Sequence, residues 1–291
     1  MIEARGITKF FPVVNPRGIA EGNTALVSVS LKVDAGEFLA IVGTSGSGKS
    51  TFLEILAGLQ APTEGEVYVE GKRVLEPLPG TRREMEAYRR KYRFLSPIVN
   101  STFRDMPKSD TAIVFQDGGL FPWMTALENV VFVLKLRGMA RRERVAWARK
   151  YLSLVGLKEG ENKYPAQLSG GMRQRVALAR ALSVEPKIIL MDEPFAAVDA
   201  ASRQHLQEDL TRLWQAMGQT IVFVTHDVEE AILLANRVVV FSPAPGTVRN
   251  TIDVGLPRPR HLFRRQIDDL KHRIMEIYRF DATGEVLDYA I

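Results

Sequence analysis

The sequence predicts an α/β protein in which a mostly parallel sheet is covered by helices. Short apolar runs typical of buried strands, at residues 38–42, 187–191, 220–225 and 237–241, alternate with segments of helical period. Parallel strands need crossover connections, so this alternation favours helices on both faces of the sheet. The 291 residues, 46% hydrophobic and 25% charged, suffice for one large domain or two modest ones.

The N-terminal part predicts strands and one helix. Residues 24–33 alternate polar and apolar side chains, as a half-buried strand does, and residues 66–70 form another short strand. Strand 38–42 runs into a glycine-rich loop and then into a helical pattern that ends near Gly58. The apolar residues of that helix are Phe52, Leu53, Ile55 and Leu56.

The remaining elements are predicted from the same periodicities. Residues 111–115 are apolar and β-rich, which predicts a further strand. Helices are predicted at residues 127–137, 141–155, 172–182, 202–217, 228–235 and about 261–279. The last is amphipathic, and two interpretations of its apolar stripe stay open: it packs back onto the protein, or it makes a regulatory or dimer contact.

Composition excludes several classes of protein. The chain has no cysteine, which removes disulfides, thiolate metal sites, iron–sulfur clusters and cysteine nucleophiles. Its first residues have no long apolar run after a basic start, and no stretch reaches the ~18–20 apolar residues of a membrane span. We therefore expect a soluble, cytoplasmic protein whose contact with a membrane comes through a partner.

The net charge of +5 is concentrated in one segment. Between Arg82 and Lys108 there are eight basic and three acidic residues, and the difference equals the net charge of the whole chain. The rest of the chain is neutral, unlike the broad basic face of a nucleic-acid-binding domain. We therefore expect no nucleic-acid partner.

A glycine-rich loop between the strand 38–42 and a helix predicts a phosphate site. Its residues fit the pattern G-x-x-x-x-G-K-[ST] and continue into the helix: Gly43, Thr44, Ser45, Gly46, Ser47, Gly48, Lys49, Ser50 and Thr51. Glycines let main-chain N–H groups turn toward a phosphate, and the helix N-terminus adds its positive dipole end. Lys49 supplies a positive charge for the β- and γ-phosphates, and the Ser50 hydroxyl is a candidate Mg²⁺ ligand.

An acidic strand end supplies the second part of such a site. The run 188–191 is followed by Asp192 and Glu193, where a buried strand reaches the surface. Asp192 is a candidate for the Mg²⁺ coordination shell, and Glu193 is a candidate general base for water. The prediction is a P-loop NTPase core that binds ATP and Mg²⁺.

Further motifs resemble the ATPases of ABC type. Residues 168–175 (LSGGMRQR) are similar to that family's signature motif and precede Asp192, as the family has them. Gln116 stands where the family has its Q-loop glutamine, and the segment 196–199 resembles the D-loop. His226 resembles the switch histidine. Val198 departs from the leucine that is more common there. The resemblance covers roughly residues 2–255 and implies an antiparallel β subdomain and an α-helical signature subdomain at about 117–183.

The resemblance also implies roles for these residues. Ser169, Gly170 and Gly171 would act on the ATP of a second subunit, with Asp199 coupling the two sites. Gln116 would sense Mg²⁺ and the attacking water, and His226 would contact the γ-phosphate. Phe11 stands where the family has an aromatic residue that stacks on adenine, and Phe10 competes for that role. Two subunits, identical or related, would close head to tail on two ATP molecules.

A single cassette without membrane helices resembles the ATP-binding subunit of an importer. The Q-loop stretch 115–125 and the segment 253–260 are similar to the nitrate/sulfonate/taurine/bicarbonate importer ATPases. The loop from Leu120 to Thr125 would receive a permease subunit, unless Phe121 and Trp123 pack internally. The system would include a periplasmic or extracellular solute-binding protein, and the cassette would lie on the inner face of the membrane.

The domain prediction is a cassette at 2–255 and a C-terminal tail helix within 256–291. The family pattern is interrupted at about 80–109 by the basic insertion. This insertion is predicted either to be a solvated excursion or to contact anionic lipid or a membrane-subunit loop. Two other functions stay open: a nucleic-acid- or ribosome-associated ATPase that uses the insertion, and a regulatory cassette without turnover.

Overall fold

The computed structural model describes residues 2–14, 20–74 and 110–279. It divides into two compact units, one of Met1–Pro97 and Val222–Ile291 and the other of Ile98–Ile221. The predicted basic insertion at 80–109 and the end of the predicted tail at 280–291 lie outside the described residues. Within the described ranges, no helix has the length and apolar character that crossing a membrane requires.

The first unit contains an antiparallel sheet at its N-terminal end. Its strands are β1 (Ile2–Val14), β2 (Ala20–Val33), β4 (Glu64–Val69) and β5 (Lys72–Arg73), in the order β2-β1-β4-β5. Ile2 pairs with Val33 on one side and with Val69 on the other. The alternation in β2 buries Val29, Leu31 and Val33 on one face, as the sequence pattern predicts.

Two glycines allow strands β1 and β4 to approach closely. The register between the strands shifts after Arg5, and Gly6 has a positive φ of 57°. A Cβ on Gly65 would lie 2.4 Å from the Gly6 carbonyl oxygen. Only glycine fits such a bulge without displacing the main chain.

A second group of strands carries the glycine-rich loop. Strand β3 (Phe38–Val42) is parallel to β9 (Arg237–Phe241), and β10 (Val248–Asp253) is antiparallel to β9. Strand β8 (Thr220–Thr225), which belongs to this unit from Val222 onward, borders β3 on its other side. Strands β3 and β8 are buried along their whole length, which explains their continuous apolar sequences.

The described residues of the first unit also form three α-helices. Helix α1 (Lys49–Leu56) follows β3, and α6 (Val228–Leu234) follows β8 and contacts β3. Helix α7 (Arg264–Arg279) packs on α6 and buries Ile267 and Ile274 completely. The apolar stripe of α7 therefore packs, at these two positions, against its own chain.

From residue 110 onward, the second unit combines a pair of parallel strands with four α-helices. Strands β6 (Thr111–Val114) and β7 (Ile188–Asp192) pair from Thr111 with Ile188 to Val114 with Met191. Helices α2 (Ala126–Leu136), α3 (Arg141–Leu154) and α4 (Gly170–Ser183) contact one another, and α4 also contacts α5 (Ala200–Met217). Side chains cap three of these helices, since Thr125, Ser169 and Asp199 accept main-chain N–H groups.

The periodicity predicts most of these elements within a few residues. Strands β3, β8 and β9 have the predicted bounds, and each predicted helix is present. Strands β1, β5 and β10 were not predicted. Helix α7 begins at Arg264 rather than 261, because a 3-10 turn at Arg260–Leu262 precedes it.

Candidate functional site

The predicted phosphate loop connects β3 to α1. Gly46 and Gly48 have positive φ values of 79° and 83°, and Gly48 is the N-cap of α1. The Lys49 side chain is 5% exposed. Its Nζ donates to the carbonyl oxygens of Gly43 at 2.8 Å and Thr44 at 2.9 Å. The loop is therefore wrapped around its own lysine, with the ammonium group held next to the helix N-terminus.

The loop is packed tightly against neighbouring strands. A Cβ on Gly48 would lie 2.6 Å from the Ala25 carbonyl oxygen, and one on Gly43 would lie 2.8 Å from Ser47 Oγ. The Ser47 side chain is fully buried. Around Gly46, in contrast, a Cβ would meet no atom within 4 Å. Such a cradle fits an anion, because it combines open space, a cation and the positive end of a helix.

The two candidate adenine-stacking aromatics differ in their surroundings. The Phe11 side chain is 37% exposed, and Lys9 Nζ lies 5.0 Å from its ring centroid. The Phe10 ring is half-buried against the N-terminal sheet, where a Cβ on Gly22 would lie 2.3 Å from Phe10 Cζ. Burial lowers the pKa of Lys9, whose Nζ donates to the Ala61 carbonyl at 2.7 Å. The Phe11 ring is thus the more accessible of the two.

His226 lies at the junction of β8 and α6. Its side chain is exposed, and it stands between Thr225, the last residue of β8, and Asp227, the N-cap of α6. The Asp227 carboxylate accepts from the Glu229 and Glu230 N–H groups at 2.9 and 3.2 Å. Thr225 Oγ1 donates to the buried Glu230 carboxylate at 2.6 Å. This network fixes the main chain on both sides of His226.

The predicted acidic pair lies at the end of β7 in the second unit. Asp192 is the last residue of the strand, and Glu193 follows with a positive φ of 41°. Both side chains are half-buried. A non-glycine residue in the left-handed region costs about 1–3 kcal/mol, and such strain clusters at functional sites. The sequence carries no signal for this strain, which follows from the turn after β7.

The signature turn and the predicted D-loop contact each other. Ser169 is the N-cap of α4, and its Oγ accepts from the Met172 N–H at 3.2 Å. A Cβ on Gly170 would lie 2.3 Å from the Ala197 carbonyl oxygen. Gly171 is buried, and a Cβ there would lie 3.4 Å from Ser202 Cβ. Glycine is therefore required at position 170, whereas the distance at Gly171 is that of an ordinary van der Waals contact.

Asp199 is the N-cap of α5. Its Oδ1 accepts from the Ser202 N–H at 3.0 Å. Hydrogen bonds from Ser202 lower the pKa of this exposed carboxylate, which keeps it ionised at the positive end of α5. The structure thus gives Asp199 a capping role in addition to the predicted role at the subunit contact.

The predicted Q-loop is held by an arginine that sequence reasoning missed. Gln116 is exposed just after β6, and the turn continues through Gly118 and Gly119, with φ values of 75° and 53°. Arg180 of α4 donates to the Gly119 and Gly118 carbonyls at 2.6 and 2.7 Å. Burial lowers the pKa of Arg180, an effect that the nearby Asp117 partly offsets. More than sixty residues separate the partners, so periodicity does not reveal the contact.

The two aromatics of the predicted docking loop have different environments. The Phe121 ring packs on Phe132 with centroids 5.0 Å apart, and its N–H donates to Asn129 Oδ1 at 2.8 Å. The Trp123 side chain is 69% exposed, although its ring lies 5.7 Å from that of Phe121. Phe121 therefore packs internally, whereas Trp123 presents an indole to solvent.

The candidate metal ligands are few. Among the described residues, no cluster of three or more histidine, cysteine or acidic side chains is present. The predicted Mg²⁺ ligands are Ser50 in the first unit and Asp192 and Gln116 in the second. Each of these three side chains carries an oxygen of the kind that Mg²⁺ takes as a ligand, and Mg²⁺ often uses only one or two carboxylates beside phosphate oxygens and water.

Comparison with known proteins gives the family. A family model described as ABC transporter matches residues 26–196. The nitrate import ATP-binding protein of Synechocystis is 42% identical over 233 residues, which are 80% of this chain and 76% of that protein. The aliphatic sulfonates import ATP-binding protein of Bacillus cereus is 36% identical over 259 residues, 89% of each chain.

A solved structure supports the same assignment. A dimeric ATP-binding cassette in a post-hydrolysis state, bound to ADP and phosphate, superposes with a TM-score of 0.69 at 34% identity. The match covers 88% of this chain and 100% of that one. The fold predicted from the sequence, a P-loop core with an antiparallel β part and a helical part, is thereby confirmed. The chain belongs to the ABC transporter family as an ATP-binding, ATP-hydrolysing subunit.

Proposed function

We propose that this chain powers the import of a small anion or organic solute of the nitrate, sulfonate, taurine or bicarbonate type. The relatives named for nitrate and aliphatic sulfonate import support this proposal. The observation that carries it is the 120–125 loop, which is anchored through Phe121 and exposes the Trp123 indole. An aromatic side chain on a packed loop is suited to anchor a protein contact.

ATP would bind the loop 43–51 of the first unit. Main-chain N–H groups at the start of α1, together with Lys49, would hold the phosphates, and Phe11 would stack on the base. Mg²⁺ would be held by Ser50, Asp192 and Gln116 with oxygens of the nucleotide. When bound, Mg²⁺ neutralises the negative charge that develops on the phosphates.

The residues of hydrolysis are proposed from the same resemblance. Glu193 would accept a proton from the attacking water as general base. His226 would contact the γ-phosphate and position that water. The strained main chain at Glu193 and the hydrogen-bonded main chain next to His226 support these roles, since the main chain that carries a catalytic side chain has to be held in place.

A second cassette would complete each ATP site. Ser169, Gly170 and Gly171 open α4, a helix of 14 residues whose N-terminal N–H groups suit an anion. The D-loop packs against this turn, and this contact supports the proposed role of Asp199 in coupling the two sites of a dimer. The dimeric relative supports this arrangement, and identical and related partner cassettes are both compatible with it.

Permease subunits and a solute-binding protein would be the other partners. The permease would contact the Leu120–Thr125 loop, and the cassette would lie on the cytoplasmic face of the membrane. The importer names of the relatives do not favour the nucleic-acid alternative. The basic insertion that this alternative invokes lies outside the described residues.

The Trp123→Ala variant tests the docking proposal. Removing an exposed side chain changes stability by only about 0.5 kcal/mol or less, so the variant should melt like the wild type. Co-purification with the co-expressed permease subunits of its system should fall by about tenfold or more, as at a hot-spot tryptophan. The matched control is Leu154→Ala, an exposed apolar residue of the same unit. Equal recovery of permease by both variants would argue against the proposed contact.

Uptake measurements test the solute. A strain that lacks the gene should lose uptake of one of the labelled solutes nitrate, taurine, an alkane sulfonate or bicarbonate. Re-expression of the wild type should restore it, whereas the Glu193→Gln variant should not. Unchanged uptake of all four solutes would contradict the proposed substrate class.

A further inference from the structure

Helix α6 is too short to hold its own position, and it begins beside His226. Its seven residues make about two turns, and a helix of this length is marginal in water without tertiary support. His226 is connected to the buried strand β8 on one side and to α6 on the other. The position of its main chain therefore depends on what holds α6.

The C-terminal end of α6 is capped by two arginines. The last four carbonyl groups of a helix have no partner within it, and here each has a donor. Ala235 N–H donates to the Ala231 carbonyl at 2.9 Å. Arg258 donates hydrogen bonds to the carbonyls of Leu233 and Leu234. Arg260 donates to the carbonyl of Ile232 and to that of the C-cap residue, Ala235.

The Arg260 side chain is buried against the C-terminal end of α6. It is 4% exposed, and among the described residues it donates to four carbonyl oxygens, of which two lie in the turn before it. Those two belong to Leu256 at 3.1 Å and Val254 at 3.1 Å. Burial, and secondarily the charge of Arg258, lowers the pKa of Arg260 to about 10, so the guanidinium stays charged at neutral pH. A cation at a helix C-terminus is favourable because the helix dipole is negative there.

The first turn of α6 is held by the C-terminal helix. Arg264 and Lys271 of α7 contact the two carboxylate oxygens of Glu229 at 2.7 and 3.2 Å. Glu229 lies three residues after His226. The segment from Leu256 to the middle of α7 thus contacts both ends of α6.

We infer that Arg260, with Arg258 and the ion pairs at Glu229, is a positioning residue for His226. This inference rests on the proposed function, because it assumes that His226 acts on the γ-phosphate. Losing the cap leaves buried carbonyls without donors, and α6 then shifts or frays. His226 moves with it, so that turnover falls while the phosphate loop is left intact.

The experiment is a double-mutant cycle on the full-length chain. Arg260→Met is made in the wild-type and the His226→Ala backgrounds, and kcat, nucleotide affinity and thermal unfolding are measured. In the wild-type background kcat should fall by about tenfold to a hundredfold, the cost of a misplaced catalytic group. Nucleotide affinity should stay within about twofold. In the His226→Ala background Arg260→Met should cause no further loss, because residues that act as a unit are not additive.

Two further variants separate positioning from general damage. Arg260→Lys keeps the charge but donates to fewer carbonyls, so its kcat should lie between those of the wild type and Arg260→Met. Arg249→Met removes an arginine that donates to the Ile277 carbonyl of α7 at 2.9 Å rather than to a carbonyl of α6. Its kcat should equal that of the parent protein in each of the two backgrounds.

The results of the cycle either support or overturn the positioning role of Arg260. Equal loss from Arg260→Met in the two backgrounds, or no loss in either, overturns it. If Arg260→Met does not fold, the double variant Arg264→Gln, Lys271→Gln enters the same cycle, since these side chains are 68% and 44% exposed and their replacement leaves no buried gap. Equal loss in both backgrounds, or none, again overturns the inference. His226→Ala alone reports on the proposed function: unchanged turnover would refute the role of His226, independently of the arginine variants.

Discussion

Two glycines of the phosphate loop share a conformation but not their surroundings. Gly46 and Gly48 have φ values of 79° and 83°, which alanine adopts with similar strain at both positions. A Cβ on Gly46 would meet nothing within 4 Å, whereas one on Gly48 would lie 2.6 Å from Ala25 O and 2.7 Å from Leu26 Cδ2. Alanine at the two positions therefore separates the cost of the dihedral angle from the cost of the overlap.

The expected magnitudes follow from these contacts. The left-handed conformation costs an alanine about 1–2 kcal/mol, and this is the whole expected loss of unfolding free energy for Gly46→Ala. The overlap at Gly48 involves a main-chain oxygen, which does not move as a side chain does, and adds about 1–3 kcal/mol. For a chain of this size, each kcal/mol of lost unfolding free energy lowers the melting temperature by roughly 2–4 °C. Gly48→Ala should therefore melt several degrees below Gly46→Ala.

Thermal and urea denaturation of the nucleotide-free chain measure this difference. The nucleotide is left out because it would stabilise the loop by mass action and mask the steric effect. Equal melting temperatures of the two variants, or a lower one for Gly46→Ala, would refute the packing argument for the loop.

Three further predictions concern single side chains. Glu193→Gln should bind ATP normally but hydrolyse it about 10²–10⁴-fold more slowly, as single-turnover assays would show; near-normal turnover would exclude Glu193 as the base. Lys49→Ala should lose nucleotide affinity, because Lys49 carries the positive charge of the loop; an unchanged titration with a fluorescent ATP analogue would contradict the phosphate site. Burial raises the pKa of Glu229, but hydrogen bonds from Lys271 and Arg264 outweigh this and hold the pKa below its ordinary value of 4.5. Its ion pairs should therefore stabilise the protein above pH ~4.5, by at most about 1 kcal/mol, and lose this contribution as the pH falls further. The difference in urea denaturation between the wild type and Glu229→Gln should vanish at low pH; a difference that persists there would show that it is not electrostatic.

Local motifs could be predicted because their signals lie within a few residues. The strand, glycine-rich loop and helix around Lys49 follow one another directly, and the predicted bounds of β3 and β8 agree with the structure. Helix starts at Thr125, Ser169 and Asp199 carry capping residues, which act on main-chain groups three residues away at most. For such features, the residues that interact in the folded protein are also close to one another in the sequence.

Strands that depend on distant partners could not be predicted in this way. Strand β1 pairs with β2 and with β4, and its sequence interrupts the alternation at the bulge near Gly6. Strand β10 is an antiparallel neighbour of β9 with mostly half-buried or exposed side chains, so it lacks a continuous apolar run. Pairing with other segments, rather than periodicity, makes these residues strands.

The sequence by itself determined the family, the glycine-rich loop and the order of the motifs, because the residues that form each motif lie close together in the chain. Only the tertiary structure decided that Phe121 is packed while Trp123 is exposed. It likewise decided that Arg180 holds the Q-loop turn and that Arg258 and Arg260 cap α6. The arginine contacts join residues more than twenty positions apart, and a guanidinium group meets its carbonyl partners only once folding has brought the main chain to it.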